Sequence, residues 1–245
     1  MSPTVRWLAR GMGEVPPCAD WLSPAESARL AMLRFPKRRT EMRLGRWTAK
    51  HAVAAFLGLG DDPATLARIE LRPAPTGAPL PFVADRPAPV SVSLTDRADW
   101  AVCVVAHPSR AVGCDLELVE PRTEVFIRDW FTPRERDTVL GAGRDRDLLA
   151  NLVWSAKESA LKVLQTGLRR DTRSVEIEIL DPDGQARWAR LAAHTEEGAT
   201  FPGWWRRYHD FLLTVAADGE HGPPVCLEEP HLAAAIPAHS WLSAR

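Results

Sequence analysis

Two acidic residues in the middle of the chain are spaced so that they could bind one cation together. The run from Gly113 to Leu118 has the alternation of a β-strand, which places Asp115 and Glu117 on one side and apolar residues on the other. Carboxylates on one strand face repel each other unless a cation or water satisfies them. Such oxygen ligands, completed by phosphate oxygens, form a typical magnesium site. The alternative is an edge strand with a solvated face.

A second group of chemically active residues follows in the run from Trp154 to Lys162. Trp154, Lys157, Glu158 and Lys162 fall at helical steps of three and four, so they share one face of a helix. A glutamate followed four residues later by a lysine is also the pattern of a solvated intrahelical ion pair. If Glu158 lies beside the strand that carries Asp115, three carboxylates and Lys162 describe a site for a metal ion and a phosphate.

An internal repeat indicates which elements position these residues. Three pairs of segments resemble one another in the same order along the chain: Trp21–Glu26 and Trp130–Glu135, Trp47–Lys50 and Trp154–Lys157, Trp100–Val105 and Phe211–Ala216. The first pair has the hydroxyl cap, proline and glutamate of a helix start. The second pair lies in amphipathic helices that end before glycines. The third pair is typical of strands.

The repeat predicts an α/β (α+β) fold, a pseudo-twofold pair of similar α/β halves, each a small, mainly antiparallel sheet with packed helices. We expect residues 1–108 to form the N-terminal half, residues 109–220 the C-terminal half and residues 221–245 a tail on the surface. The expected strands are Ala67–Arg72, Val90–Thr95, Trp100–Ala106, Val112–Val119, Val175–Leu180 and Phe211–Ala217. Paired halves normally bind their ligand in the seam between them.

Composition narrows the class of protein. A chain of 245 residues can bury a sizeable core, and a net charge of −1 gives no overall field that would favour nucleic acid. The four cysteines have neither CxxC pairing nor zinc-type spacing, which suits a reducing compartment. We find no signal-peptide pattern and no apolar run of membrane-spanning length. We therefore expect a cytoplasmic monomer that binds neither nucleic acid nor a membrane.

At these residues the chain resembles the surfactin-synthetase type of the 4'-phosphopantetheinyl transferase superfamily. That family is similar in carrying G-[IV]-D-[IVL]-E and, further on, W-x-x-K-E-[SA]-x-x-K, which Gly113–Glu117 and Trp154–Lys162 match. Phe131–Glu135 matches the helix start that the family has between them. Arg34-Phe35, followed by Leu44-Gly45-Arg46, resembles the family's early helix. The resemblance also implies two similar α/β halves, with the nucleotide on the first and the metal and catalytic residues on the second.

The resemblance implies a magnesium-dependent transfer of 4'-phosphopantetheine from coenzyme A to a serine of an acyl or peptidyl carrier protein, as in polyketide and nonribosomal peptide biosynthesis. Adenosine 3',5'-bisphosphate would be released. Asp115, Glu117 and Glu158 would hold Mg²⁺ with the pyrophosphate, and Lys162, supported by Lys157, would contact the leaving phosphate. Glu158 would also accept the proton of the carrier serine, directly or through a metal-bound water. The residue types suit phosphoryl transfer, which needs mostly positioning and charge neutralisation.

A basic run on or before the first long helix is typical of a solvated cationic face. By analogy with the family, Arg46 first, with Arg39 and Lys50, would meet the adenosine 3'-phosphate. The family's S-H-[ST] segment, which touches the nucleotide phosphates, corresponds to Ser93 and Thr95, with leucine in place of the histidine. Both hydroxyl residues are therefore expected at the cofactor.

The chain departs from the family at two positions on the nucleotide side. Leu94 stands where the family has histidine and can neither donate a hydrogen bond nor carry charge, and Ala78 replaces the lysine of G-K-P. Arg97, close to Leu94, is a candidate to compensate. Two alternatives follow. The chain could be a catalytically weak homologue that binds carrier proteins or regulates a pathway, or a magnesium-dependent hydrolase of another phosphorylated nucleotide.

Overall fold

The computed structural model describes residues 4–184, 187–228 and 231–237, which form a mixed α/β fold. The α-helices in these ranges are Pro24–Met32 (α1), Pro36–Leu57 (α2), Pro63–Ala67 (α3), Glu124–Trp130 (α4), Pro133–Gly141 (α5) and Arg146–Val163 (α6). The strands are Arg6–Gly11 (β1), Ile69–Pro73 (β2), Pro79–Val83 (β3), Arg86–Pro87 (β4), Ser91–Arg97 (β5), Trp100–Ala106 (β6), Val112–Leu118 (β7), Val175–Ile179 (β8), Ala189–Thr195 (β9), Thr200–Tyr208 (β10), Phe211–Ala217 (β11) and Val225–Cys226 (β12). None of the described helices is long and apolar enough to span a bilayer.

The same order of elements occurs twice, as the sequence repeat predicts. In the first half, β1 pairs antiparallel with the second strand of the β5–β6 hairpin, and in the second half β7 pairs in the same way with the β10–β11 hairpin. The helix pair α1–α2 precedes the first hairpin and α5–α6 precedes the second. The predicted fold class is therefore confirmed. The predicted boundary at residues 108 and 109 lies in the turn between β6 and β7.

The helix starts are fixed by local sequence in both halves. The side chain of Ser23 accepts a hydrogen bond from the backbone amide of Glu26, and that of Thr132 accepts one from the amide of Glu135. In each case the glutamate carboxylate accepts the backbone amide of the capping residue. Proline opens both helices, where its missing N–H costs nothing. At the other end of the pair, α2 stops where Gly58 adopts a left-handed conformation (φ 68°).

A buried ion pair in each half connects the short helix to the long one. In the first half, Lys50 Nζ lies 2.7 Å from Glu26 Oε2 and donates to the carbonyls of Trp21 at 3.0 Å and Leu66 at 2.9 Å. Glu26 also accepts the backbone amide of Leu71 at 3.2 Å, which ties β2 to α1. All three ammonium protons have acceptors, as a buried charge requires.

The second half repeats this arrangement. Lys157 Nζ lies 2.8 Å from Glu135 Oε2 and donates to the carbonyls of Thr172, at 2.9 Å, and Val175. Glu135 accepts the backbone amide of Ile177 at 2.7 Å, which ties β8 to α5. Because the same lysine contacts recur in both halves, we infer that these two lysines hold the fold together.

The described residues that follow β11 return to the first half. β12 adds a parallel strand to β1, pairing Val225 with Arg6, and Leu232 and Ala235 are buried against the core. This part of the predicted tail is therefore integrated into the first sheet. Residues 229–230 and 238–245 of the predicted tail lie outside the described residues.

Candidate functional site

The three predicted acidic residues lie where β7 and α6 of the second half pack against each other. Two side chains of α6 reach the strand: Lys162 Nζ lies 3.0 Å from Asp115 Oδ1, and Trp154 Nε1 donates to Glu117 Oε1 at 3.0 Å. Glu158 lies on the same helix between them. Burial raises the pKa of Glu158 to about 7, helped by the charges of Asp115 and Glu117 and opposed by Lys162. The three carboxylates therefore share one electrostatic environment.

Small residues allow α6 to lie close against β7. A Cβ on Gly113 would fall 1.9 Å from the carbonyl oxygen of Ser159, so only glycine fits at this point of the strand. Ser155 Oγ donates to the Asp115 carbonyl at 3.2 Å and lies 2.8 Å from Thr214 Oγ1 on the next strand. This close approach brings the acidic face of β7 within reach of the helix side chains.

Asp115 presents one saturated and one unpartnered oxygen. Oδ1 accepts from Lys162 Nζ at 3.0 Å and from Thr95 Oγ1 at 3.2 Å. Oδ2 is buried and has no hydrogen-bond partner among the residues that the structure describes. A buried carboxylate oxygen without a partner is costly, which makes it a candidate ligand atom for a cation.

Glu117 is surrounded by cationic and donor groups. Its Oε2 lies 3.2 Å from an amino nitrogen of Arg122 and 3.5 Å from Arg97 Nε. Burial and the charge of Asp115 raise the pKa of Glu117, while both arginines and Trp154 oppose the rise. Arg97 also lies 3.0 Å from Glu120, so it faces the carboxylates. No pattern in the sequence indicates the contact between Arg122 and Glu117.

The residues present fit a magnesium site that substrate oxygens would complete. In residues 4–184, 187–228 and 231–237, no three histidine, cysteine, aspartate or glutamate side chains form a group that could hold a metal ion by themselves. Mg²⁺, however, is commonly held by one or two carboxylates together with water and substrate phosphates. The all-oxygen donor set and the unpartnered Oδ2 of Asp115 agree with that kind of site.

A cavity of about 590 Å³ opens between the halves next to the carboxylates. Its first-half wall is the turn and strand from Thr76 to Phe82 and the stretch of β5 from Ser91 to Leu94, and Lys162 and Gln165 belong to its second-half wall. Among the described residues that form the wall, Lys162 is the only charged one. Since Lys162 also contacts Asp115, this lysine joins the cavity to the acidic site.

Two predicted ligand contacts are wrong. Lys50 and Lys157 were expected at phosphates, but both ammonium groups are fully buried and bonded to Glu26 and Glu135. Burial lowers the pKa of each lysine, and its glutamate counteracts the shift. Neither lysine can reach a ligand without breaking the core of its half.

The other predicted cofactor residues are distributed around the seam. Arg46 Nε lies 3.2 Å from Glu26 Oε1, so this arginine supports the first buried ion pair, and it is not part of the cavity wall. Arg39 is exposed near the start of α2 and also lies outside the wall. Ser93 lines the cavity. Thr95 instead contacts Asp115 and the backbone of β7.

Comparison with known proteins supports the resemblance. Residues 111–216 match the family model described as the 4'-phosphopantetheinyl transferase superfamily. A phosphopantetheinyl transferase of Thraustochytrium sp. is 36% identical over 163 residues, which cover 60% of this chain and 54% of that protein. An L-aminoadipate-semialdehyde dehydrogenase-phosphopantetheinyl transferase of Eremothecium gossypii is 29% identical over 160 residues, 61% of this chain and 57% of that protein.

These matches confirm the resemblance to the superfamily that the motifs indicate. The matched region contains β7, α5 and α6, and thus all three carboxylates and Lys162. The chain spans little more than half the length of either curated relative. The assignment to the surfactin-synthetase type stays a prediction from the motifs.

Proposed function

We propose, from the superfamily match of residues 111–216, that this chain transfers 4'-phosphopantetheine from coenzyme A to a serine of an acyl or peptidyl carrier protein and releases adenosine 3',5'-bisphosphate. The observation that carries the proposal is the oxygen pair of Asp115. One oxygen accepts a hydrogen bond from Lys162, which lines the cavity between the halves, and the other is buried with no partner in the described part of the chain.

Asp115, Glu117 and Glu158 would hold a magnesium ion in this proposal. When bound, the metal would neutralise the coenzyme A diphosphate and stabilise the charge that develops on the leaving group. Lys162 contributes the same kind of stabilisation from the cavity side. Although burial works against its charge, Asp115 raises the pKa of Lys162, so the lysine stays protonated while the leaving phosphate gains charge.

Glu158 is the proposed acceptor of the serine proton. In the metal-free protein, burial together with Asp115 raises the pKa of Glu158 to about 7. A bound Mg²⁺ would favour the ionised carboxylate, which is the form that accepts a proton. Its position on α6, between Trp154 and Lys162, supports this role, because the diphosphate would lie at Lys162. The serine oxygen would attack the phosphorus next to pantetheine, and the bond from that phosphorus to the bridging oxygen would break.

The cavity suits the uncharged parts of coenzyme A. Its wall is mainly proline, leucine, valine and small residues, with Lys162 as the charged group at one side. The diphosphate would therefore lie at Lys162, and an apolar portion of the cofactor would extend along β5 past Ser93. Arg39 remains the candidate for the adenosine 3'-phosphate, since its guanidinium is exposed. We further propose that the chain acts as a cytoplasmic monomer.

The proposed function is tested by mixing the protein with coenzyme A, Mg²⁺ and an apo acyl carrier protein and weighing the carrier by intact-protein mass spectrometry. We expect the carrier to gain one phosphopantetheine, and we expect EDTA to abolish the gain. Binding of coenzyme A without any gain would support a carrier-binding homologue instead. Release of a nucleotide in the absence of carrier would support a hydrolase.

A further inference from the structure

Two hydroxyl side chains of β5 have the same spacing as the backbone amides on the outer edge of β7. Among the described strands, β7 is at the edge of its five-stranded sheet, so the amides on its outer side have no strand partner there. Ser93 Oγ accepts the amide of Cys114 at 3.0 Å, and Thr95 Oγ1 accepts the amide of Leu116 at 3.2 Å. Both hydroxyls and both amides are two residues apart. Because an unpaired buried amide is costly, these two bonds join the first half to the second.

The two hydroxyls differ in what they do with their proton. Thr95 Oγ1 accepts the Leu116 amide and lies 3.2 Å from Asp115 Oδ1, so its proton is directed at that carboxylate. Lys162 donates to the same oxygen at 3.0 Å. Two donors on Oδ1 hold the carboxylate in one orientation. In that orientation Oδ2 is the oxygen without a partner among the described residues.

We infer that Thr95 is a positioning residue, which orients Asp115 so that Oδ2 is presented to the metal. This role rests on the proposed function and replaces the expectation that Thr95 binds the cofactor. It makes a residue of the first half responsible for the geometry of a ligand on the second half. Partners that orient a metal ligand in this way typically change metal affinity by roughly 10- to 100-fold when they are removed.

The test compares Thr95→Val with Ser93→Ala by the binding of Mn²⁺ alone, measured from the free-ion signal in electron paramagnetic resonance. Each variant removes one acceptor from a β7 amide, so both should lose similar stability. Only Thr95→Val also removes the donor to Asp115. We expect its dissociation constant for Mn²⁺ to rise roughly tenfold, with recovery in Thr95→Ser, while Ser93→Ala keeps the constant of the unchanged chain.

Thermal unfolding is measured first, and Mn²⁺ affinities are compared at a temperature at which every variant is folded. Equal affinities for Thr95→Val and the unchanged chain would overturn the role of Thr95 and leave the proposed function intact. A tenfold loss of Mn²⁺ affinity in Ser93→Ala as well would assign the effect to the hydrogen bonds that connect β5 to β7. That result would also overturn the role of Thr95. Failure of the unchanged chain to bind Mn²⁺ both alone and with inorganic pyrophosphate, which supplies the missing oxygens, would remove the metal from the proposed function, and this role with it. The variants are compared under the condition in which the unchanged chain binds Mn²⁺.

Discussion

The ammonium of Lys157 lies 2.8 Å from the carboxylate of Glu135, in the core of the second half. Its neighbour Glu158 lies in the seam, where Asp115 and Glu117 influence its pKa. Adjacent residues of one motif therefore serve different purposes, one holding α6 to α5 and the other facing the proposed substrate. The equivalent pair in the first half, Lys50 and Glu26, holds α2 to α1 and has only this structural role.

Replacing Lys157 should affect stability first. Lys157→Met leaves the Glu135 carboxylate buried without its counterion, which typically costs about 3–5 kcal/mol. Denaturant unfolding measures this loss. Lys162→Met is the comparison, because Lys162 is partly exposed and belongs to the cavity wall. We expect it to remain folded and to lose transfer. A Lys157→Met protein with unchanged stability but no transfer would return Lys157 to the catalytic residues.

The raised pKa of Glu158 predicts a pH dependence of stability in the metal-free protein. The ordinary pKa of 4.5 applies in the unfolded chain, and burial raises the folded value to about 7. Between these values the folded chain binds more protons, so the free energy of unfolding should fall as pH rises through this window.

Glu158→Gln removes this contribution. Relative to the unchanged chain, it should gain stability as pH increases from about 5 to about 8, and denaturant unfolding in EDTA measures the difference. The side chain is only partly buried, so we predict the direction of the change. If the stability difference between the two proteins stays constant over this range, Glu158 titrates near its ordinary pKa.

Gly113 should be intolerant of any side chain. An added Cβ would lie 1.9 Å from the Ser159 carbonyl, so α6 or β7 must move. We expect Gly113→Ala to lose roughly 1–3 kcal/mol or more, as overpacked cores do. Gly141→Ala is the control, since an added Cβ there meets nothing within 4 Å and α5 should gain helix propensity. Equal stability of the two variants would show that α6 packs less closely than described.

A histidine at position 94 should improve the use of coenzyme A or leave it unchanged. Leu94 lines the cavity and contributes no hydrogen bond to a nucleotide. We expect Leu94→His to lower the KM for coenzyme A without a loss of kcat, measured by steady-state transfer to an apo carrier. The isosteric control is Leu94→Asn, which adds polarity without an ionisable ring. A higher KM in Leu94→His would indicate that the cavity binds a purely apolar group at this point.

Local signals predicted much of the fold. The capping boxes at Ser23 and Thr132 and the nearly continuous apolar strands β6 and β11 are set by residues near one another in the chain, so the structure reproduces them. β10 was missed because Pro202 and Gly203 lie inside it, and both residues usually indicate turns. β1 was missed because it has no alternation of polar and apolar residues: every residue after Arg6 is buried, Arg10 included.

The site was predicted in part, for a physical reason that concerns Lys157. Helical periodicity places Lys157 on the same broad face as Glu158, but only the position of Glu135 decides that the lysine enters the core. The repeat held the missing signal. Both halves have the buried glutamate (Glu26 and Glu135) and the buried lysine (Lys50 and Lys157). In contrast, Glu158 and Lys162 correspond to His51 and Ala55 in the first half. The glutamates and lysines of the buried ion pairs occur in both halves and hold the fold, whereas Glu158 and Lys162 occur only in the second half and belong to the candidate site.

The central claim is that Asp115 holds a divalent ion against the diphosphate of coenzyme A. It is tested most directly by the mass of an apo carrier protein after incubation with coenzyme A, Mg²⁺ and the Asp115→Asn variant. Asp137→Asn is the matched control, because Asp137 is an exposed aspartate of α5. We predict complete conversion of the carrier by the control and no gain in mass with Asp115→Asn. Conversion by Asp115→Asn at the rate of the control would contradict the account.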